Sequence, residues 1–202
     1  MSSRHPETQA KTHMKTAPCT IDRFVRDLDL LGEKRFTVPN VLEFLREHPV
    51  DFDSLRPYLH WDAGHYSRNL IHKTPLYELL ALCWDKGQRA AIHNHSGQLC
   101  WMAVPMGRLH VQNFRLVKHD PAKRFAELAP TEKYEMGPGS PLAVEPGEPI
   151  HDVANLPEYG ERAVSLHIYS RPFESCLVYD LDKKSYFEKK LSYTTVNGKK
   201  VG

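Results

Sequence analysis

The 202 residues lack any excess of charge, with 27 Lys and Arg against 25 Asp and Glu. A formal net charge of +2 gives no electrostatic ground for nucleic acid or for an anionic membrane surface. No apolar run approaches the ~20 residues of a membrane span, so no membrane partner is expected. Cysteine is scarce. The four residues, Cys19, Cys83, Cys100 and Cys176, form no Cys-x-x-Cys pair, which argues against a disulfide framework. Residues 1–18 lack the apolar core of a secretion signal and read as a disordered lead. The expected compartment is a reducing cytoplasm.

What is present reads as one domain, residues 1–202, with helices first and strands after. Thr20 caps a helix beginning Ile21-Asp22-Arg23-Phe24, with apolar residues at helical spacing. Thr37 precedes a second helix, VPNVLEFLREH, in which Pro39 suits the first turn and Val41, Leu42, Phe44 and Leu45 form a stripe to bury. A third short helix is expected within 51–60. From about residue 66 to 195 the pattern becomes short β runs divided by Gly and Pro: 76–84, 89–95, 98–104, 108–116, 133–136, 141–145, 150–155, 163–170, 176–181 and 185–194. Residues 117–132 read as a loop. The expectation is a mainly β fold, a small jelly-roll-like barrel with the helical lead (20–60) packed outside.

Within the run 89–95, His93 and His95 are two residues apart. On a strand both point to one face and Asn94 to the other, so the pair forms half of a metal site. With 12 histidines in the chain, about 0.7 such pairs arise by chance, so the surroundings must decide. Gly87 stands six residues before His93, Cys100 five after His95, and Gly107 seven further on. That spacing resembles the first motif of the cupin superfamily, with cysteine where a glutamate usually stands. Pro146, Gly147, His151 and Asn155 approximate the second motif, with the glycine displaced by one position.

The strand 163–170 places Val164, Leu166 and Ile168 on one face and Ser165, His167 and Tyr169 on the other. On an ordinary half-buried strand the polar face meets water. Facing into a barrel, an imidazole between two hydroxyls makes a hydrogen-bonded chain that fixes the phenol and tunes its acidity.

With YSRNL (66–70), His93-x-His95 followed by Cys100, His151 in IHDVAN and SLHIYSRPFESC (165–176), the chain resembles the cysteine dioxygenase family of thiol dioxygenases, over about Tyr66 to Phe173. That resemblance implies oxidation of L-cysteine by O₂ to cysteine sulfinic acid at one ferrous iron, Fe(2+), per chain. It puts the iron ligands on His93, His95 and His151. The substrate carboxylate falls to Arg68, helped by Tyr66, and the relay to Ser165, His167 and Tyr169. Cys100 stands where some relatives form a thioether to the relay tyrosine, here Tyr169; a buried free thiol is the other reading. The family is usually monomeric. Three neutral imidazoles leave a divalent ion its full charge, which favours a thiolate ligand. Arg68 suits a carboxylate because its planar fork donates two parallel hydrogen bonds. A relative acting on 3-mercaptopropionate typically carries glutamine in place of Arg68, so Arg68 favours cysteine. A cupin that holds metal without redox chemistry, zinc included, is the alternative from another class. Cys176 and the remaining histidines carry no assigned role.

Overall fold

The computed structural model describes residues 17–144 and 150–201. The expected lead up to residue 16, and Glu145, Pro146 and Gly147, lie outside the described residues. Four short helices come first: α1 (Ile21–Asp29), α2 (Gly32–Arg35), α3 (Val38–Glu47) and α4 (Phe52–Leu55). Thr20 caps α1 by accepting the Arg23 amide hydrogen, and Pro39 opens α3. Twelve strands follow: β1 (Ser67–Lys73), β2 (Tyr77–Trp84), β3 (Cys100–Met106), β4 (Leu109–Asp120), β5 (Phe125–Met136), β6 (Leu142–Ala143), β7 (Ile150–Ala154), β8 (Ala163–Ser170), β9 (Ser175–Asp180), β10 (Ser185–Lys190), β11 (Thr195–Val196) and β12 (Lys199–Lys200). They form a seven-stranded sheet, β12-β11-β1-β2-β8-β3-β6, and a five-stranded sheet, β7-β4-β5-β10-β9.

Both faces of the larger sheet are buried. Its outer face, with Tyr77, Leu79, Ala81, Leu166 and Ile168, packs against Ile21, Phe24 and Leu28 of α1 and Val41, Phe44 and Leu45 of α3. Phe24, Leu28, Val41 and Leu55 are wholly buried, and each such side chain contributes about 1.5–3 kcal/mol. The expected stripe on α3 holds except that Leu42 is only partly buried. Trp101 spans the seam, donating its indole N–H to the Val38 carbonyl at 3.2 Å. The inner face carries Leu70, Leu80, Leu82, Cys100, Met102 and Tyr169, which meet Leu109, Val111, Met136 and Val153 of the smaller sheet. Strand β8 therefore divides as its sequence does, but neither half meets water.

Three expectations change. Residues 117–132 are not a loop: β4 and β5 pair from Leu109–Met136 out to Asp120–Phe125, with bulges on the way. The outer half of β4 is exposed, held by the ladder with the Lys118–Glu127 ion pair and the His119–Tyr186 contact, so burial leaves no trace in its sequence. Residues 89–95 are not a regular strand. They thread between β7 and β9 through isolated bridges, with His93 facing both His151 and Val178. Finally, α2, β1, β11 and β12 were not expected as elements. Gly107, which closes the first motif, has φ +75°, and a Cβ there would lie 2.3 Å from the Arg162 carbonyl oxygen. Only glycine fits that turn.

Candidate metal centre and substrate pocket

The threading segment explains how two distant parts of the chain present three rings to one point. The His93 amide donates to the His151 carbonyl at 2.9 Å, and the His151 amide donates back at 3.0 Å. The two residues are thus a directly opposed antiparallel pair. On the other side Asn94 donates to the Leu177 carbonyl and Tyr179 to the Ile92 carbonyl. The segment is pinned on both edges, and His95, two residues on, turns toward the same space.

Each of the three imidazoles offers a ring nitrogen within 4.8 Å of the others, and the ring centroids stand 4.8–5.2 Å apart. His95 and His151 are buried; His93 is partly accessible. His93 donates its Nδ1 hydrogen to the Ala91 carbonyl at 2.8 Å, which leaves Nε2 with its lone pair toward the centre. Both ring nitrogens of His151 are buried with no hydrogen-bond partner among the described residues. Buried polar atoms are nearly always satisfied, so one of these nitrogens fits a metal ligand. Burial, foremost, pushes the His93 pKa down to about 4, and burial with the neighbouring rings pushes His151 well below its usual range. For His93 and His151 this favours the neutral ring, the form that offers a cation its lone pair.

Beside the triad is a pocket lined by Tyr66, Arg68, His93, His95, Tyr169, Phe173 and Cys176. Arg68 is held from its backbone: its amide donates to Thr194 Oγ1 at 3.0 Å, and its carbonyl accepts from the Thr194 amide at 2.7 Å. Its guanidinium carbon lies 5.9 Å from the centre of the Tyr169 ring. Nε and Nη2 of Arg68 are buried without a hydrogen-bond partner among the described residues. These two nitrogens form the side-on edge of the guanidinium, the edge that grips a carboxylate with two parallel bonds. Burial works against the charge, but Tyr169, Tyr66 and Glu78 outweigh it and raise the Arg68 pKa. The cation is permanent.

The relay residues are linked as expected. Ser165 Oγ and His167 Nε2 are 2.9 Å apart, and His167 Nδ1 and Tyr169 Oη 3.1 Å. Burial, ahead of the Arg68 and His93 charges, pushes His167 down to about 3. Burial and the nearby Cys100 raise Tyr169 well above the ordinary phenol range, so its proton stays on. Cys100 on β3 is the cross-strand partner of Tyr169 on β8. The Ser170 amide bonds to the Leu99 carbonyl, which makes Cys100–Tyr169 the closer, non-hydrogen-bonded kind of pair.

All nine residues singled out from the sequence thus converge on one region. Three others were given no role from the sequence. Cys176 lines the pocket. Trp84 donates its indole N–H to Ser165 Oγ at 2.9 Å and stacks on Tyr66 with ring centres 4.4 Å apart. Glu78 is fully buried on the same face as Tyr169, its cross-strand partner, and accepts the Tyr193 hydroxyl hydrogen at 2.5 Å. A tryptophan inside a strand of uniformly buried residues needs an acceptor for its N–H, and that need was the available signal for Trp84.

Comparison with known proteins follows the same line. The family model for cysteine dioxygenase type I matches residues 8–182. Human cysteine dioxygenase type 1 is 27% identical over 165 residues, covering 81% of this chain and 80% of its own. The rat enzyme of the same name is 28% identical over 144 residues, covering 71% of this chain and 68% of its own. A solved double-stranded β-helix protein from Klebsiella pneumoniae superposes with a TM-score of 0.46 at 16% identity, over 58% of this chain and 82% of its own.

Proposed function

The chain belongs to the cysteine dioxygenase type I family, an enzyme family of thiol dioxygenases, and from that premise we propose that it oxidises L-cysteine with O₂ to cysteine sulfinic acid. The observation that carries the reading is a buried Arg68, its Nε–Nη2 edge unpartnered among the described residues, on the same pocket as His93 and His95 of the three-histidine cluster. A small molecule bearing both a carboxylate and a metal-seeking thiol satisfies both ends.

His93, His95 and His151 are the proposed ligands of a ferrous ion, which when bound supplies a coordination site for the thiolate and activates O₂. Arg68 holds the substrate carboxylate, and Tyr66, stacked on Trp84, walls that end of the pocket. The reaction takes RSH and O₂ to RSO₂⁻ and H⁺. Sulfur gives four electrons to O₂, and the thiol proton is released. Tyr169, kept protonated and held by His167 and Ser165, lines the pocket and serves as a hydrogen-bond donor to the substrate. Cys100 and Tyr169 join in a thioether: the thiol hydrogen and one ring hydrogen are lost, O₂ takes the two electrons, and the new C–S bond locks the phenol. The protein acts in the cytoplasm as a monomer.

Metal analysis of protein purified without added metal, with steady-state rates on L-cysteine and 3-mercaptopropionate, tests this. Iron with a kcat/KM favouring L-cysteine is expected. Zinc, or a preference for the thiol lacking the amine, contradicts it.

A further inference from the structure

The relay has a direction, and the residue that sets it stands outside it. The Trp84 indole N–H can only donate, and it donates to Ser165 Oγ at 2.9 Å. Ser165 is fully buried, and among the described residues its hydroxyl hydrogen has one acceptor in reach, His167 Nε2 at 2.9 Å. His167 is neutral, so when Nε2 accepts, its single hydrogen sits on Nδ1 and is donated to Tyr169 Oη at 3.1 Å. The phenol then accepts from behind, and its own hydrogen is left for the pocket that Tyr169 lines. Arg68, the charged neighbour on that side, has no acceptor to take it. The reverse direction would have His167 Nε2–H donate to Ser165 and leave the serine hydrogen stranded in a buried position.

We propose that Trp84 is a positioning residue that fixes the relay's direction, so that Tyr169 presents its hydroxyl hydrogen to the bound substrate. The same ring stacks on Tyr66 at an interplanar angle of 16°, so it braces both the far end of the relay and the pocket wall. The inference rests on the reading of Tyr169 as the phenol that faces the thiol.

The test is the tautomer of His167, read in a long-range ¹H–¹⁵N spectrum of the full chain labelled at histidine. Zinc replaces paramagnetic iron in this sample. The wild type is expected to show the Nδ1–H form; the Nε2–H form overturns the proposal, and this reading needs no variant to fold. Trp84→Phe keeps an aromatic face against Tyr66 but removes the donor. A water drawn to Ser165 can accept as well as donate, so both tautomers are expected. In the iron enzyme kcat should fall about tenfold, the weight of one hydrogen bond, while KM for the thiol stays within about twofold. A folded Trp84→Phe protein with the wild-type tautomer and the wild-type kcat overturns the proposal. Failure of the wild type to oxidise L-cysteine would count against the proposed substrate, and the His167 spectrum would still decide the direction of the relay.

Discussion

Replacing Arg68 by glutamine separates function from stability. Two charge-assisted hydrogen bonds to a carboxylate are worth about 1.5–3 kcal/mol each. Gln keeps one neutral donor, so the net loss is about 3–4 kcal/mol, or roughly 10²–10³-fold in kcat/KM, seen mainly as a raised KM for L-cysteine. Folding answers differently. Nε and Nη2 are buried without hydrogen-bond partners among the described residues, and the guanidinium is a charge held in a low-dielectric wall. Burial alone would make that charge a liability, but Tyr169, Tyr66 and Glu78 offset it, so the Tm of Arg68→Gln should lie at or only slightly below that of wild type. The assays are initial rates across L-cysteine concentration and a thermal melt of the metal-free protein. A KM within threefold of wild type would show that the carboxylate is held elsewhere. A Tm well below wild type would show that Arg68 is a structural ion, contrary to the geometry.

The remaining expectations are briefer. Intact-mass measurement under reducing conditions should find the active protein two hydrogens lighter than its sequence, and Cys100→Ser at its calculated mass; an unchanged wild-type mass excludes the thioether. Adding ferrous iron to the stripped chain at 100 times its Kd should stabilise it by about 2.7 kcal/mol, and His151→Ala should abolish that shift; a His151→Ala protein stabilised as much as wild type would place the ion elsewhere. Phe24→Ala empties a fully buried site between α1 and the sheet and should cost about 3–5 kcal/mol in urea unfolding, leaving KM of the folded fraction unchanged. Burial, foremost, pushes the Cys83 thiol up to about 11 from 9.0. The unfolded chain therefore loses this proton first, and the stability tied to the protonated thiol, present below pH 9, is lost between pH 9 and about 11. The difference is about 3 kcal/mol. Wild type should lose more stability than Cys83→Ala over that interval, and equal losses would refute the assignment.

The parts of the fold that were legible in the sequence are those where burial writes a pattern. Strand β8 was bounded correctly because two buried faces of different chemistry alternate without interruption from Ala163 to Ser170. Helices α1 and α3 announced themselves through Thr20 and Pro39. The distal half of the β4–β5 hairpin did not, because residues such as Lys118 and His119 are exposed and their order comes from the backbone ladder to Glu127 and Ala126. The threading of 89–95 between β7 and β9 was also hidden, since a partner's identity leaves no mark on the segment it pairs with. At the site, histidine spacing and family likeness pointed to the candidate triad, Arg68 and the Ser165-His167-Tyr169 chain, which the structure brings together. Trp84 and Glu78 act through hydrogen bonds to residues 81 and 115 positions away, and such pairings are not written in any local motif.

Isotope labelling tests the central claim most directly. The iron-loaded protein, given L-cysteine under ¹⁸O₂, should consume one O₂ per thiol and return a sulfinate carrying both heavy oxygens. A product with one label or none, or no oxygen uptake with iron fully bound, would contradict it.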